Sequence, residues 1–109
     1  MSESISIGQV IKEVMRLAQE KGFGTKPEEI SVPEKIALIH SEASEALSAF
    51  RHQKMNGKDG FAQELADIVI RVAHLAGVYG IDLEEEIIKK GEYNKTREWN
   101  WDKINEKHT

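Results

Sequence analysis

The sequence contains no cysteine, only two prolines, 6% aromatic residues and no long hydrophobic run. Without cysteine the chain cannot form disulfides, iron–sulfur clusters, thiolate nucleophiles or Cys-ligated zinc sites, and it suits a reducing compartment. No apolar run approaches the ~18 residues that a membrane span needs. The N-terminus has neither the basic nor the apolar region of a secretion signal. We therefore expect a cytoplasmic protein with no membrane partner.

Positive charge is also scarce, because 15 Lys and Arg residues stand against 19 Asp and Glu residues, for a net charge of −4. Proteins that bind nucleic-acid polymers present concentrated Lys and Arg surfaces, so no such partner is expected. The 109 residues suffice for one domain, which we assign to residues 1–109. A chain this short buries only a modest core, so self-association is expected.

Apolar residues recur at helical spacing in four segments, and no segment shows sustained alternation with a period of two. We therefore predict an all-α fold, a single-domain antiparallel bundle of four to five helices that assembles as a homo-oligomer. The expected helices span about 6–21, 31–53, 61–79, and 82 to 97 or beyond. Asp59 is expected to cap the third helix, and Asp82 with Glu85 the fourth. The tail from Trp99 to Thr109 receives no assignment.

Two acidic pairs with a spacing of three residues lie on the second and third predicted helices: Glu42 with Glu45, and Glu64 with Asp67. About three such pairs are expected by chance at this acid content, and three occur, so their number carries no weight. The positions of these pairs on their helices are more informative than their number. At about 100° per residue, Glu42 falls inside the apolar stripe of its helix, and the second pair borders the apolar arc of its own helix. Carboxylates are therefore predicted on the sides that pack together.

Four carboxylates in such a place would repel one another. Two like charges near 4 Å repel by about 4 kcal/mol at an effective dielectric constant of 20, and an unpaired buried charge is costly. An antiparallel hairpin can bring both pairs together, and a hard divalent cation would then relieve the repulsion. Oxygen ligands without Cys or paired His favour magnesium or manganese over zinc. The open alternative is a solvated edge or a set of salt bridges, because such pairs are common.

A third group of residues is cationic. Lys90, Asn94 and Arg97 follow one another at helical spacing and share one side of the fourth predicted helix. Lys and Arg with an Asn suit phosphate oxygens, the Arg through bidentate contact. The alternative is a basic helix C-terminus that interacts favourably with the helix dipole.

In combination, the two acidic motifs and the Lys90-x-x-x-Asn94-x-x-Arg97 motif resemble the all-α nucleoside triphosphate pyrophosphohydrolases, specifically their small MazG-like members. The resemblance extends from about residue 35 to residue 97. It implies hydrolysis of a nucleoside triphosphate, such as a deoxynucleoside or modified nucleoside triphosphate, to the monophosphate and pyrophosphate. It also implies a homodimer or homotetramer. It assigns magnesium, with manganese possible, to four acids: Glu42, Glu45, Glu64 and Asp67.

The resemblance also implies roles around the phosphate chain and the base. Lys90, Asn94 and Arg97 would contact phosphate or sugar. Glu42 and Glu45 would be catalytic, Glu45 as the carboxylate that accepts a proton from the attacking water.

Three further residues are candidates for substrate contacts: Lys35, His52 and Arg71. Lys35 aligns with Glu42 on the second helix, whereas His52 and Arg71 stand where relatives acting on deoxycytidine triphosphate often carry aromatics. The base preference therefore stays open.

Phe23 and Phe50, with His52, are candidates for stacking on the base, although a Phe at helical spacing is more often a core residue. His74 lies on the side of Asp67 and could support the metal ligands, although a surface position is the more common one for such a His.

Two other classes of protein also place acidic residues on helices. A non-catalytic helical interaction module could use the same acids to contact a basic partner. A di-iron or di-manganese redox bundle needs Glu-x-x-His pairs, but Ala37, Ala49 and Arg71 stand three residues before the candidate histidines, so this class lacks its signature.

Overall fold

A computed structural model describes residues 4–98 and shows four α-helices with no strand among those residues. The helices are α1 (Ile7–Lys21), α2 (Val32–Arg51), α3 (Phe61–Val78) and α4 (Leu83–Thr96), with a short 3₁₀ helix, Pro27–Glu29, between α1 and α2. The prediction of an all-α single domain with four helices is confirmed, and a fifth helix in the tail would fall outside the described residues. None of the four helices combines the length and the apolar character needed to cross a bilayer.

Side-chain caps mark the beginning of three helices: α1, α4 and also α2, where the Ser31 hydroxyl accepts a hydrogen bond from the Glu34 N–H at 3.4 Å. Ser6 accepts a hydrogen bond from the backbone N–H of Gln9, whose side chain accepts one from Ser6 in return. The Asp82 carboxylate accepts a hydrogen bond from the Glu85 N–H at 3.0 Å, which confirms that half of the predicted capping box, whereas the Glu85 carboxylate lies 3.5 Å from Nζ of Lys89. Such caps satisfy backbone donors that have no partner within the helix.

The start of α3 differs from the prediction, because Asp59 does not cap it. Gly60 is the N-cap and makes no side-chain hydrogen bond, while Asp59 adopts a left-handed backbone with φ 62°. The first two amides of α3 instead donate to the carbonyl oxygens of Lys54 and Met55 at 2.8 and 3.1 Å. The loop folds back so closely that a Cβ at position 60 would lie 2.5 Å from the Asn56 carbonyl oxygen. The backbone of the loop therefore does the capping expected of a side chain.

Two helices, α1 and α2, pack against α3, and α4 packs on α1. Helix α2 lies antiparallel to α3, α1 packs on another side of α3, and α4 contacts α1. Gly77 permits the close approach of α1 to α3, since a Cβ at that position would lie 2.5 Å from Cγ of Met15. The α2/α3 pair contains both acidic pairs, Glu42 with Glu45 on α2 and Glu64 with Asp67 on α3.

Small side chains form the buried core. The buried apolar residues among those described are Ala18, Ala46, Ala49, Ala73, Ala76 and Val78. Many large apolar residues stay exposed in the single chain, among them Ile36, Leu47, Leu65 and Val69. The helices thus approach through small residues and leave larger apolar side chains at the surface.

Candidate metal centre

The antiparallel pairing of α2 with α3 brings three carboxylates to one point. One oxygen from each of Glu42, Glu64 and Asp67 lies within 4.8 Å of the others. Glu42 is only 8% exposed and Glu64 only 4% exposed, whereas Asp67 is at the rim of the group. We call these three residues the carboxylate cluster. Its position confirms that acidic side chains lie on the packing sides of both helices.

Two oxygens of the cluster have no hydrogen-bond partner. Oε2 of Glu42 and Oε2 of Glu64 are buried and accept no hydrogen bond. Buried polar atoms in proteins are almost always satisfied, and an unsatisfied carboxylate oxygen is a costly exception that calls for an explanation. A cation, a proton or a bound water would satisfy these two oxygens.

Glu45 lies next to the cluster and interacts with Glu64. The pKa of Glu64 is raised from its usual 4.5 to about 7, first by burial, then by the hydrogen bonding and charge of Glu45, and then by the hydrogen bonding and charge of Glu42. Glu45 itself is exposed and does not belong to the three carboxylates that converge within 4.8 Å. Of the four predicted ligands, three thus share one point and the fourth lies beside one of them.

Arg71 forms an ion pair with the cluster. Its Nε donates to Oε1 of Glu42 at 3.0 Å, where the Arg71 side chain is 38% exposed and that of Glu42 is 11% exposed. This contact was not anticipated, because the sequence suggested Arg71 only as a substrate contact. Helical spacing places Arg71 one turn beyond Asp67 and two turns beyond Glu64 on α3, but it does not identify the partner on α2.

A first cavity, with a volume of about 360 Å³, opens beside Asp67. Four apolar residues line it: Val14, Leu17, Phe23 and Ile70. Four polar or charged residues complete its wall: Lys35, Asp67, Arg71 and His74. Its wall therefore combines an apolar surface with two cationic side chains next to the carboxylate cluster.

A second cavity, of about 510 Å³, lies beside Glu45 and Glu64. The predicted substrate contact His52 lines it, as do the unpredicted residues Ser48, Ala49, Lys54 and Asp59. Lys54 and Asp59 escaped prediction because they belong to the loop that folds back over α3, and helical periodicity says nothing about such a loop. Ser48 was one turn beyond Glu45 and could have been recognised from that spacing.

The candidate stacking residues fall in different places. Phe23 is exposed and lines the first cavity, so it is not the core residue that its type favours. Phe50 is exposed and lies outside both cavities, where its ring packs against Phe61 with centroids 5.7 Å apart. His52 directs its Nδ1 to the Ser48 carbonyl oxygen at 2.8 Å.

The expectation of a surface position for His74 is wrong. His74 is 8% exposed, and its Nε2 donates to the carbonyl oxygen of Gly24 at 2.8 Å. Because a carbonyl oxygen only accepts, Nε2 carries the proton. His74 thereby fixes the loop after α1 to α3 and holds one wall of the first cavity.

The three residues predicted to contact phosphate lie on or at the end of α4. Neither cavity described above is lined by Lys90, Asn94 or Arg97. Lys90 and Arg97 both lie over the ring of Tyr93, with Nζ and Cζ at 4.8 and 5.7 Å from its centroid. Within residues 4–98 of one chain, α4 packs mainly on α1, and the role of these residues stays a prediction.

Comparisons with protein-family models, with curated proteins and with solved structures found no match to this chain. The chemistry of the site is therefore inferred from its own geometry. Three converging carboxylates with two unpartnered buried oxygens could hold a metal ion.

The raised pKa of Glu64 predicts how the stability of the metal-free protein depends on pH. With a folded-state pKa of about 7 against an ordinary 4.5, the folded protein binds more protons than the unfolded chain between these values. The stability that this group contributes is therefore fully present below about pH 4.5 and is lost as the pH rises through 7. We expect a lower melting temperature in EDTA at pH 8 than at pH 5. Glu64→Gln should flatten this dependence and melt higher than wild type at pH 8.

Circular-dichroism melts at several pH values measure this effect. Glu28→Gln, at an exposed position on the 3₁₀ helix, serves as the control and should keep the wild-type slope. Equal slopes in all three proteins would contradict the proposed crowding of Glu64.

Proposed function

We propose that this chain is a metal-dependent nucleotide pyrophosphohydrolase of the MazG-like kind, which splits a nucleoside triphosphate between the α and β phosphates. The observation that carries the proposal is the pair of buried, unpartnered oxygens on Glu42 and Glu64, within a group of three carboxylates. The sequence motif around these residues resembles that family over about 35–97. Geometry and motif thus point to the same side chains.

The chemistry of the ligands supports magnesium as the cation, with manganese as a substitute. All donors are carboxylate oxygens, which hard divalent cations prefer. Glu42, Glu64 and Asp67 would hold the ion, and Glu45 would join them or act from the second cavity. A divalent cation there supplies charge neutralisation for phosphate and lowers the pKa of a bound water.

Residues around the cluster would accept a proton and bind the substrate. Glu45 lines the second cavity beside Glu64, where an exposed carboxylate can accept a proton from an attacking water. Lys35 and Arg71 line the first cavity and would bind phosphate oxygens. His52 would contact the substrate from the second cavity.

The burial of the acids disfavours a docking role. An interaction module would present its acids to a basic partner, yet Glu42 and Glu64 are 8% and 4% exposed. A buried carboxylate makes a poor contact for another protein, whereas a small cation can reach it. The depth of the site thus favours the enzyme over the interaction module.

Pyrophosphate release from a panel of common and modified nucleoside triphosphates, with and without magnesium, tests the activity. We expect release only with magnesium or manganese. We also expect a loss of at least about 100-fold in Glu64→Gln and Asp67→Asn, because losing a residue that merely supports a metal ligand costs about 10- to 100-fold and losing the ligand itself costs at least as much. Glu28→Gln should retain wild-type activity. No release from any triphosphate of the panel would contradict the proposal.

We propose also that the protein is a homo-oligomer, with a second copy covering the α2/α3 pair. Ile36 and Leu47 lie about 20° apart around α2, and Leu65 and Val69 about 40° apart around α3. These exposed residues lie about 100° or more around their helices from Glu42 and Glu64, which mark the sides where α2 and α3 meet. A chain with so small a core gains most by burying this face against an identical one.

Size-exclusion chromatography with light scattering tests the assembly. We expect a dimer or tetramer for the wild type, and Leu47→Glu or Val69→Glu should shift it towards monomer, since a charge in an apolar interface is strongly unfavourable. Ile88→Glu, at an exposed apolar position on α4, is the matched control and should leave the oligomer intact. A monomeric wild type would contradict the proposed assembly. Dissociation by Ile88→Glu, but not by Leu47→Glu or Val69→Glu, would place the interface on α4 and not on the α2/α3 pair.

A further inference from the structure

Arg71 holds one oxygen of a carboxylate that the proposed cation needs. Its Nε donates to Oε1 of Glu42 at 3.0 Å, while Oε2 of the same carboxylate is buried without a partner. The guanidinium therefore supplies positive charge from one side of Glu42 and leaves the other side unbalanced. It is the cation that the structure itself places on the carboxylate cluster.

The Arg71 side chain lies within reach of the first cavity as well as of Glu42. Its side chain is 38% exposed and lines the first cavity, together with Lys35 from α2. Arg71 also lies one turn after Asp67 on α3, so its guanidinium sits at the boundary between the cluster and the cavity. A long, partly exposed side chain at such a boundary can exchange one partner for another without movement of the backbone.

We propose that Arg71 is the built-in counter-ion of the metal-free centre, and that a divalent cation releases it to bind an anionic phosphate group in the first cavity together with Lys35. The inference rests on the proposed metal site. It adds that the centre exchanges an internal cation for an external one, and that the freed guanidinium becomes part of the substrate site.

Electrostatics favours the exchange in this direction. A divalent cation at the cluster neutralises the charge of Glu42, which weakens the hold of that carboxylate on Arg71. The freed guanidinium faces Lys35 across a cavity whose remaining acid, Asp67, is also engaged by the cation. Two cations without a nearby free acid attract a phosphate, which Arg binds through two parallel hydrogen bonds.

The exchange couples the two binding events. A metal bound at Oε2 of Glu42 weakens the ion pair at Oε1, so the ion pair in turn weakens metal binding, and the released side chain strengthens binding of the anion. Because linkage is reciprocal, an anion that captures Arg71 strengthens metal binding by the same factor. The cation and the phosphate chain would thus bind cooperatively.

NMR of the wild-type protein follows the guanidinium directly. The Arg71 Nε–H signal, assigned by its loss in Arg71→Met, should shift or broaden as magnesium is added and shift again when a magnesium–imidodiphosphate complex follows. A signal that stays in place while the cation binds would show that the ion pair is a fixed structural contact and would overturn the inference.

Calorimetry separates the two roles of Arg71, with Lys35→Met as the matched control. Manganese should bind Arg71→Met about fivefold more tightly than wild type, the upper range for an ion pair that is partly exposed, but Lys35→Met less than twofold more tightly. The magnesium–imidodiphosphate complex should bind both variants about tenfold more weakly. Arg71 alone should therefore change both measurements in opposite directions.

The control results distinguish failure of this inference from failure of the proposed function. Equal tightening of manganese binding in Arg71→Met and Lys35→Met would mean a general charge effect and would overturn the exchange. Equal affinity of wild type and Arg71→Met would do the same while leaving the metal site intact. No manganese binding to either wild type or Lys35→Met would overturn the metal site and the exchange together.

Discussion

Mutual repulsion among the carboxylates between α2 and α3 is the constraint on which the rest of the structure depends. Glu42 and Glu64 are buried where two helices meet, and each keeps an oxygen with no hydrogen-bond partner. A protein can tolerate this arrangement only if protons, an internal cation or an external ion offset the charge. Two of these are visible in the chain itself, as the raised pKa of Glu64 and the ion pair of Glu42 with Arg71.

The helices hold these carboxylates together although the core of a single chain buries little apolar surface. The buried apolar residues between positions 4 and 98 are almost all alanines, which let the helices approach closely but remove little apolar surface from water. His74 and Gly77 join the first part of the chain to α3 through a hydrogen bond and a close contact. A second copy of the chain over the exposed side of α2 and α3 would supply the burial that one chain lacks.

Much of this architecture could be predicted because it depends on local chemistry. Helical periodicity indicated all four helices, and the Asp82 cap followed from its own side chain. Angular position on the helix indicated that Glu42 would be buried, since that angle needs only the residue count. The approximate place of the carboxylate cluster was therefore accessible from the sequence.

The features that escaped prediction depend on contacts between distant segments. The Asp59 cap failed because the loop carbonyls of Lys54 and Met55 took its place. His74 is buried because the loop at Gly24 returns over it, 50 positions away. The pairing of Arg71 with Glu42 joins residues 29 positions apart, and no spacing rule reaches that far.

The most direct test of the central claim is anomalous diffraction from crystals soaked in manganese at neutral pH. The account predicts one or more anomalous peaks within coordination distance of carboxylate oxygens of Glu42, Glu64 and Asp67, with the Arg71 guanidinium moved away from Glu42. Crystals that show no peak at these carboxylates at millimolar manganese, with Arg71 still on Glu42, would contradict it.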